Sequence, residues 1–323
     1  MRLFTKTLFT FLFLALVALT SALQAQTSAN GGLNAYDFVQ ISPSARAIAV
    51  GGAYTALGDD VSSIYYNPAG VASVLTNEIE MAYISLYQGL SYETLAFSYP
   101  MEPVFHGLGG TFAVSVNMLQ PGTLEKTNDV GVTISTFSAG DDLFTFTYAH
   151  ELGSDFQAGM SFKYIQQQID VVSSSLLAVD AGILFAPGND GVRVGVDLKN
   201  IGDNASSYSL PFTLNTGISF RQYGIFTKQD DMALSIDSAF PMVIQDSLAV
   251  NIGAEYNLKW VGSRISLRGG YSFVGNTDLT GIGLSAGAGY GMDFGGLVVF
   301  LDYAYTPADV FGDSNRFSLT TKF

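Results

Sequence analysis

Phe144–His150 reads FTFTYAH, with Phe144, Phe146 and Tyr148 on one face of an extended chain and Thr145, Thr147 and Ala149 on the other. Period two, with large rings on one side and small or polar groups on the other, is the signature of a strand whose two faces meet different surroundings. The neighbouring stretch FQAGMSFKY repeats it: Phe156, Ala158, Met160, Phe162 and Tyr164 oppose Gln157, Gly159, Ser161 and Lys163. So do VRVGVDLK, with Val192, Val194, Val196 and Leu198 against Arg193, Gly195, Asp197 and Lys199, and LAVNIGAEYNLKW, from Leu248 to Trp260.

Marking every such run gives about fourteen strands, near 78–87, 90–100, 109–119, 141–150, 156–168, 176–186, 192–201, 211–221, 231–240, 246–260, 264–273, 281–290, 297–305 and 316–323. Most are about ten residues long, the length a tilted strand needs to cross a bilayer. The apolar faces are large and aromatic, whereas the opposite faces carry scattered charges of both signs, including Lys163, Asp180, Arg193, Asp197, Arg221, Asp237, Glu255, Arg268 and Asp302. A soluble β-sandwich or propeller would turn its polar faces to water and crowd them with Lys and Glu. Here charged residues are 13% of the chain, about half the usual share, while Phe and Tyr number 24 and 17. The reading is therefore all-β: a transmembrane antiparallel β-barrel with an apolar outside and aromatic girdles. An even strand count returns the C-terminus to the side where the barrel began. On that side ELGSD, APGND and GMDFGG are tight turns; opposite them, residues 120–140 form the longest external loop.

The chain starts with a short basic stretch (Arg2, Lys6), an apolar run from Leu8 to Leu19, then small and polar residues. That is the layout of a secretory signal peptide over 1–25, and the run is too short for a membrane anchor. Its removal makes the formal charge of −14 two units more negative. So acidic a chain, with no Lys/Arg stripe, is no nucleic-acid binder. The absence of cysteine excludes disulfides and a lipid anchor on an N-terminal cysteine.

Residues 26–77, between the signal peptide and the barrel at 78–323, do not alternate. They are rich in Gly, Ala, Ser and Asp and have no core of their own, so the lumen is the surface they pack against: an N-terminal hatch. Gly51 and Gly52 permit close backbone approach. In SSIYYNPAGVAS (Ser62–Ser73), Pro68 holds Asn67 extended and favours a turn through Ala69 and Gly70. Arg46, Asp59 and Asp60 are placed to pair with lumen-facing charges; Phe38, Tyr54, Tyr65 and Tyr66 are candidates for hatch packing or ligand contact. Asp59–Asp60 is a candidate cation ligand with backbone oxygens, or the cap of a short helix, the reading favoured here.

ISPSARAIAVGGAYTALGDDVSSIYYNPAGVA resembles the N-terminal signature of the PorV/PorQ family of outer-membrane proteins, which is related to the fatty-acid channel FadL; the likeness continues over Phe137–Ile165. The resemblance implies a fourteen-stranded FadL-like barrel in a Gram-negative outer membrane. It also implies a non-enzymatic role in type IX secretion, docking the translocon or secreted proteins through their C-terminal signal domains. The alternative is a FadL-like channel for hydrophobic small molecules, with a hydrophobic ligand between hatch and wall. An open porin is disfavoured by a pre-barrel segment of plug length. The terminal strand RFSLTTKF, with Phe317, Leu319 and Phe323 on one face, resembles the signal read by the outer-membrane insertion machinery.

Catalytic patterns do not survive inspection. GLSAG (Gly283–Gly287) matches G-x-S-x-G, but Ser285 lies in a strand with no helix after it. The two histidines, His106 and His150, have no second His or Cys with which to hold a metal. No catalytic residue, metal or cofactor is expected; the outer-membrane lipid is the one partner the composition demands.

Overall fold

Antiparallel pairing of one strand with the next closes the chain on itself. A computed structural model of the protein describes residues 36–86, 89–105, 108–188, 191–202, 209–242, 248–274, 283–307 and 313–323. The strands among them are β1 (Glu78–Ser85), β2 (Ser91–Phe105), β3 (Leu108–Gln120), β4 (Thr123–Thr127), β5 (Thr133–Glu151), β6 (Phe156–Ile169), β7 (Val172–Phe185), β8 (Val192–Gly202), β9 (Thr213–Tyr223), β10 (Asp230–Pro241), β11 (Ala249–Trp260), β12 (Ser263–Val274), β13 (Leu284–Asp293), β14 (Val298–Thr306) and β15 (Ser314–Lys322). All but β4 form one antiparallel barrel of fourteen strands in chain order: β3 pairs with β5, and β1 pairs with β15 to close the ring. Closure leaves no strand edge within the membrane, the condition for a β-structure to span it.

β4 corrects one expectation. Part of the loop assigned to 120–140 is itself strand: Thr123–Thr127 pairs with the first residues of β5, so a hairpin stands above the barrel instead of an irregular loop. The predicted signal peptide 1–25, residues 26–35 of the pre-barrel segment and His106 lie outside the described residues.

The outer face identifies the membrane. Along β6 the outward row is Phe156, Ala158, Met160, Phe162 and Tyr164, followed by Gln166. Across strands, Phe144, Tyr164 and Leu177 pair in one row, and the next row up is Asp142, Gln166 and Ser175. Nine residues from Phe156 to Tyr164 match the nine to eleven that a tilted strand spends in hydrocarbon. Phe162 is 55% exposed and Leu177 70%, with none of the described residues covering them. Lipid is what covers them.

The opposite face is buried and polar: Ser161, Asp180, Asp197, Asp237, Glu255 and Asp302 are all under 6% exposed. They are buried because residues 36–77 fill the lumen. This segment contains a 3-10 turn at Asp37–Gln40, the short helix α1 (Ala45–Ala49), and 3-10 turns at Val61–Tyr65 and Pro68–Ser73. The last three starts are capped locally. Ser44 accepts from Ala47 N, Asp60 from Ser62 N and Asn67 from Ala69 N, and Pro68 sits at the first position of its turn. The segment runs the length of the barrel. Tyr36 donates its hydroxyl to Ser174, near the β6–β7 loop, at 2.7 Å. At the other end Asn77 exchanges backbone hydrogen bonds with Phe323, 3.0 Å each way, on the side that carries both ends of the barrel.

Candidate functional site

The site is the contact between this segment and the inner wall. It has three layers: an ionic cluster, a girdle of glycines, and an apolar cluster at the loop end.

Arg46 of α1 centres the ionic cluster. Its guanidinium donates to Asp59 at 2.6 Å and Asp60 at 2.7 Å, and grips Glu255 of β11 with Nε at 2.8 Å and Nη2 at 2.9 Å. Arg268 of β12 shares Glu255 at 2.7 Å and reaches Asp302 of β14; Arg221 of β9 meets Asp59 at 3.1 Å. Glu255 is wholly buried and Arg46 is 8% exposed. A buried ion pair contributes little net stability after desolvation, but one placement of the chain satisfies this set of partners, so it fixes where α1 sits. Burial pushes the Asp59 carboxyl up, but Arg46 and then Arg221 outweigh it and hold that carboxyl well below the usual carboxylate range. Burial raises the Tyr54 phenol, which stays protonated and donates to Asp60 at 2.8 Å.

The glycine girdle explains Asn-Pro-Ala-Gly. Asn67 donates from Nδ2 to Thr55 O at 3.0 Å and to Ile183 O of β7 at 3.2 Å, while Oδ1 accepts from Ala69 N. This holds the turn flat on the wall, at positions where the wall has no side chain. A Cβ on Gly159 would lie 2.4 Å from Pro68 C and O; on Gly182, 2.0 Å from Asn67 Oδ1; on Gly195, 2.4 Å from Thr55 O. Around the ring, Gly253 would meet Val50 O at 2.3 Å and Gly270 would meet Gly51 N at 2.1 Å. Gly159 pairs with Gly182, Gly195 with Gly217, and Gly253 with Gly270, so the bare patches are two strands wide. Gly51, at φ 70, brings its own backbone to Tyr271 N and Ile252 O.

At the loop end, Tyr36, Phe38 and Val39 pack with Ile84, Tyr92, Leu143, Ile165, Ala178 and Leu210. Below this cluster is a cavity of about 50 Å³ lined by Val39, Ile41, Ser42, Tyr65, Tyr66, Asn117, Leu143, Thr145, Lys163 and Lys199, among others. Lys163 pairs with Asp180, and Lys199 donates to Tyr65 O at 2.6 Å.

The structure thus brings Arg46, Tyr54, Asp59 and Asp60 into one cluster. Asn67, Pro68 and Ala69 lie on the girdle, while Gly70 packs inside the segment against Ser63 and Gly58. Phe38 is in the apolar cluster, and Tyr65 and Tyr66 border the cavity; Tyr66 also meets Tyr54 at a tilt of 58°, with centroids 5.1 Å apart. Asp60 serves as a cap and as a partner of Arg46. Phe317 and Leu319 of the final strand, and Phe323 just after it, are exposed. Ser285 donates to Ala49 O at 3.4 Å, a contact between the wall and the segment. Among the described residues no cluster of three or more His, Asp or Glu is placed to hold a metal. Sequence reasoning missed the wall glycines. Their signal was present: a lone Gly on the polar face of successive strands.

No protein-family model matches the chain, and no curated protein matches it. Solved structures do. The toluene transporter TbuX of Ralstonia pickettii superposes with a TM-score of 0.58 at 12% identity, over 89% of this chain and 98% of that one. The toluene transporter TodX of Pseudomonas putida gives 0.52 at 12% identity, over 85% and 96%. A FadL homologue from Pseudomonas aeruginosa gives 0.50 at 12% identity, over 85% and 96%. At such identity the likeness is one of fold. The protein is a fourteen-stranded FadL-like barrel, and its apolar belt places it in the outer membrane of a Gram-negative bacterium.

Proposed function

We propose that the protein is a non-enzymatic channel for hydrophobic small molecules. The observation that carries this reading is the apolar cluster of Phe38, Val39, Tyr92, Leu143 and Ile165 at the loop end of the lumen, directly above the cavity. The fold supports it, since the barrels it resembles include two described as toluene transporters. The cavity below the cluster, at about 50 Å³, is a third of the roughly 150 Å³ that accommodates benzene, so passage requires the segment to shift.

The secretion role implied by the PorV/PorQ resemblance rests on the likeness of Ser42–Ala72 and Phe137–Ile165 alone. The fold neighbours support the channel better. The test is uptake of a radiolabelled monoaromatic hydrocarbon by outer-membrane-intact cells that express the protein. The expected result is uptake well above that of cells with an empty vector, reduced several-fold by Leu143→Asp. Uptake equal to the vector, together with recovery of translocon or secreted proteins on the purified barrel, would replace the channel by the docking role.

A further inference from the structure

Residues 36–77 are fastened to the wall unevenly. Hydrogen bonds and ion pairs tie them to β1 at Glu78 and Glu80, and to β8–β11 at Arg193, Ser219, Asp237 and Glu255. Toward β2, β3 and β5 the contact is different in kind. Val61, Ile64, Tyr65, Val71 and Ala72 pack on Ala96, Ala113 and Ala149, whose side chains are single methyl groups.

Between those alanines lies a strip of polar atoms without partners. Thr94 Oγ1 and Ser98 Oγ of β2, Ser115 Oγ and Asn117 Oδ1 of β3, and Thr145 Oγ1 of β5 are buried and complete no hydrogen bond. They adjoin one another: Thr94 pairs with Asn117, and Ser115 pairs with Thr145. The Tyr65 phenol faces Ser115, yet neither atom reaches a partner at full hydrogen-bond geometry. From Thr94 to Ser98 is about 13 Å along the strand, and the upper end opens on the cavity beside Asn117 and Thr145. Buried polar atoms in such numbers are satisfied by water, about three hydrogen bonds to each molecule. Unpartnered atoms occur on other strands too, among them Glu80 Oε1, Asp197 Oδ1 and Arg316 Nε; Ser235 Oγ and Asp237 Oδ1 lie where the wall grips the segment's backbone, with Thr55 N donating to Asp237 at 2.6 Å.

We infer that a file of water occupies the β2–β3–β5 wall, from the cavity beside Asn117 and Thr145 down to Ser98.

The chain has no cysteine, so single cysteines report water directly. Ser98→Cys, Ser115→Cys and Thr145→Cys probe the strip. Ser219→Cys, equally buried and bonded to Ala56 O, is the control. Each is made in the full chain, checked for its folded, heat-modifiable form, and treated with a small water-soluble methanethiosulfonate. The strip is expected to label at least ten-fold faster than Ser219→Cys. Equal rates on both walls, or no labelling on either, would overturn the water file.

Discussion

At the scale of single residues, neighbouring glycines separate the two faces of one strand. Gly270 faces the lumen, and a Cβ there would meet Gly51 N at 2.1 Å and Val50 C at 2.2 Å, both backbone atoms that cannot yield. Gly269 faces outward, with nothing nearer than Ser285 O at 4.0 Å. Gly270→Ala is expected to destabilise by about 1–3 kcal/mol, as overpacking does. Gly269→Ala should leave the unfolding midpoint in denaturant unchanged, and equal shifts would show that the girdle is not in contact. Glu255→Gln leaves Arg46 and Arg268 short of a buried counter-charge and is expected to cost about 3–5 kcal/mol in the same titration. Asp59 adds a pH dependence. Its folded pKa lies below the unfolded value of about 4, so its stabilisation is fully present above pH 4 and is lost as pH falls through the depressed value. Stability should therefore be level from pH 7 to 5 as far as Asp59 is concerned, and Asp59→Asn should flatten the decline below pH 4.

At the scale of elements, strands were legible wherever two environments face each other across the sheet. Lipid outside and polar atoms inside impose period two, which is why FQAGMSFKY and VRVGVDLK could be placed within a residue or two. β4 was not legible, because TLEKT stands above the membrane, where neither face meets lipid or core and no alternation is enforced. Barrel pairing of β3 with β5, Thr111–Leu119 against Asp141–Ala149, is independent of that hairpin. Deletion of 124–136 is therefore expected to preserve the heat-modifiable barrel on a gel; its loss would mean that the hairpin carries part of the fold. Within the segment, Asn67-Pro68 was legible as a turn from backbone chemistry alone. Its seating on Gly159 and Gly182 was not, since that contact joins positions about a hundred residues apart.

At the scale of the molecule, the lumen has two kinds of wall. The β8–β12 side grips the segment through charges and hydrogen bonds and, with β6 and β7, through bare backbone, whereas the β2–β5 side offers methyl groups and unpaired hydroxyls. Charge on the inner faces was readable as lumen-facing from its alternation with aromatics. Which charges meet was not, because Arg46 and Glu255 are brought together by closure of the whole ring. Single-channel recording of the full chain in planar bilayers tests most directly whether its own N-terminal segment seals the lumen. A sealed lumen predicts a quiet membrane with no stepwise conductance at moderate voltage. Steady ohmic steps of the size given by an open fourteen-stranded pore would contradict it.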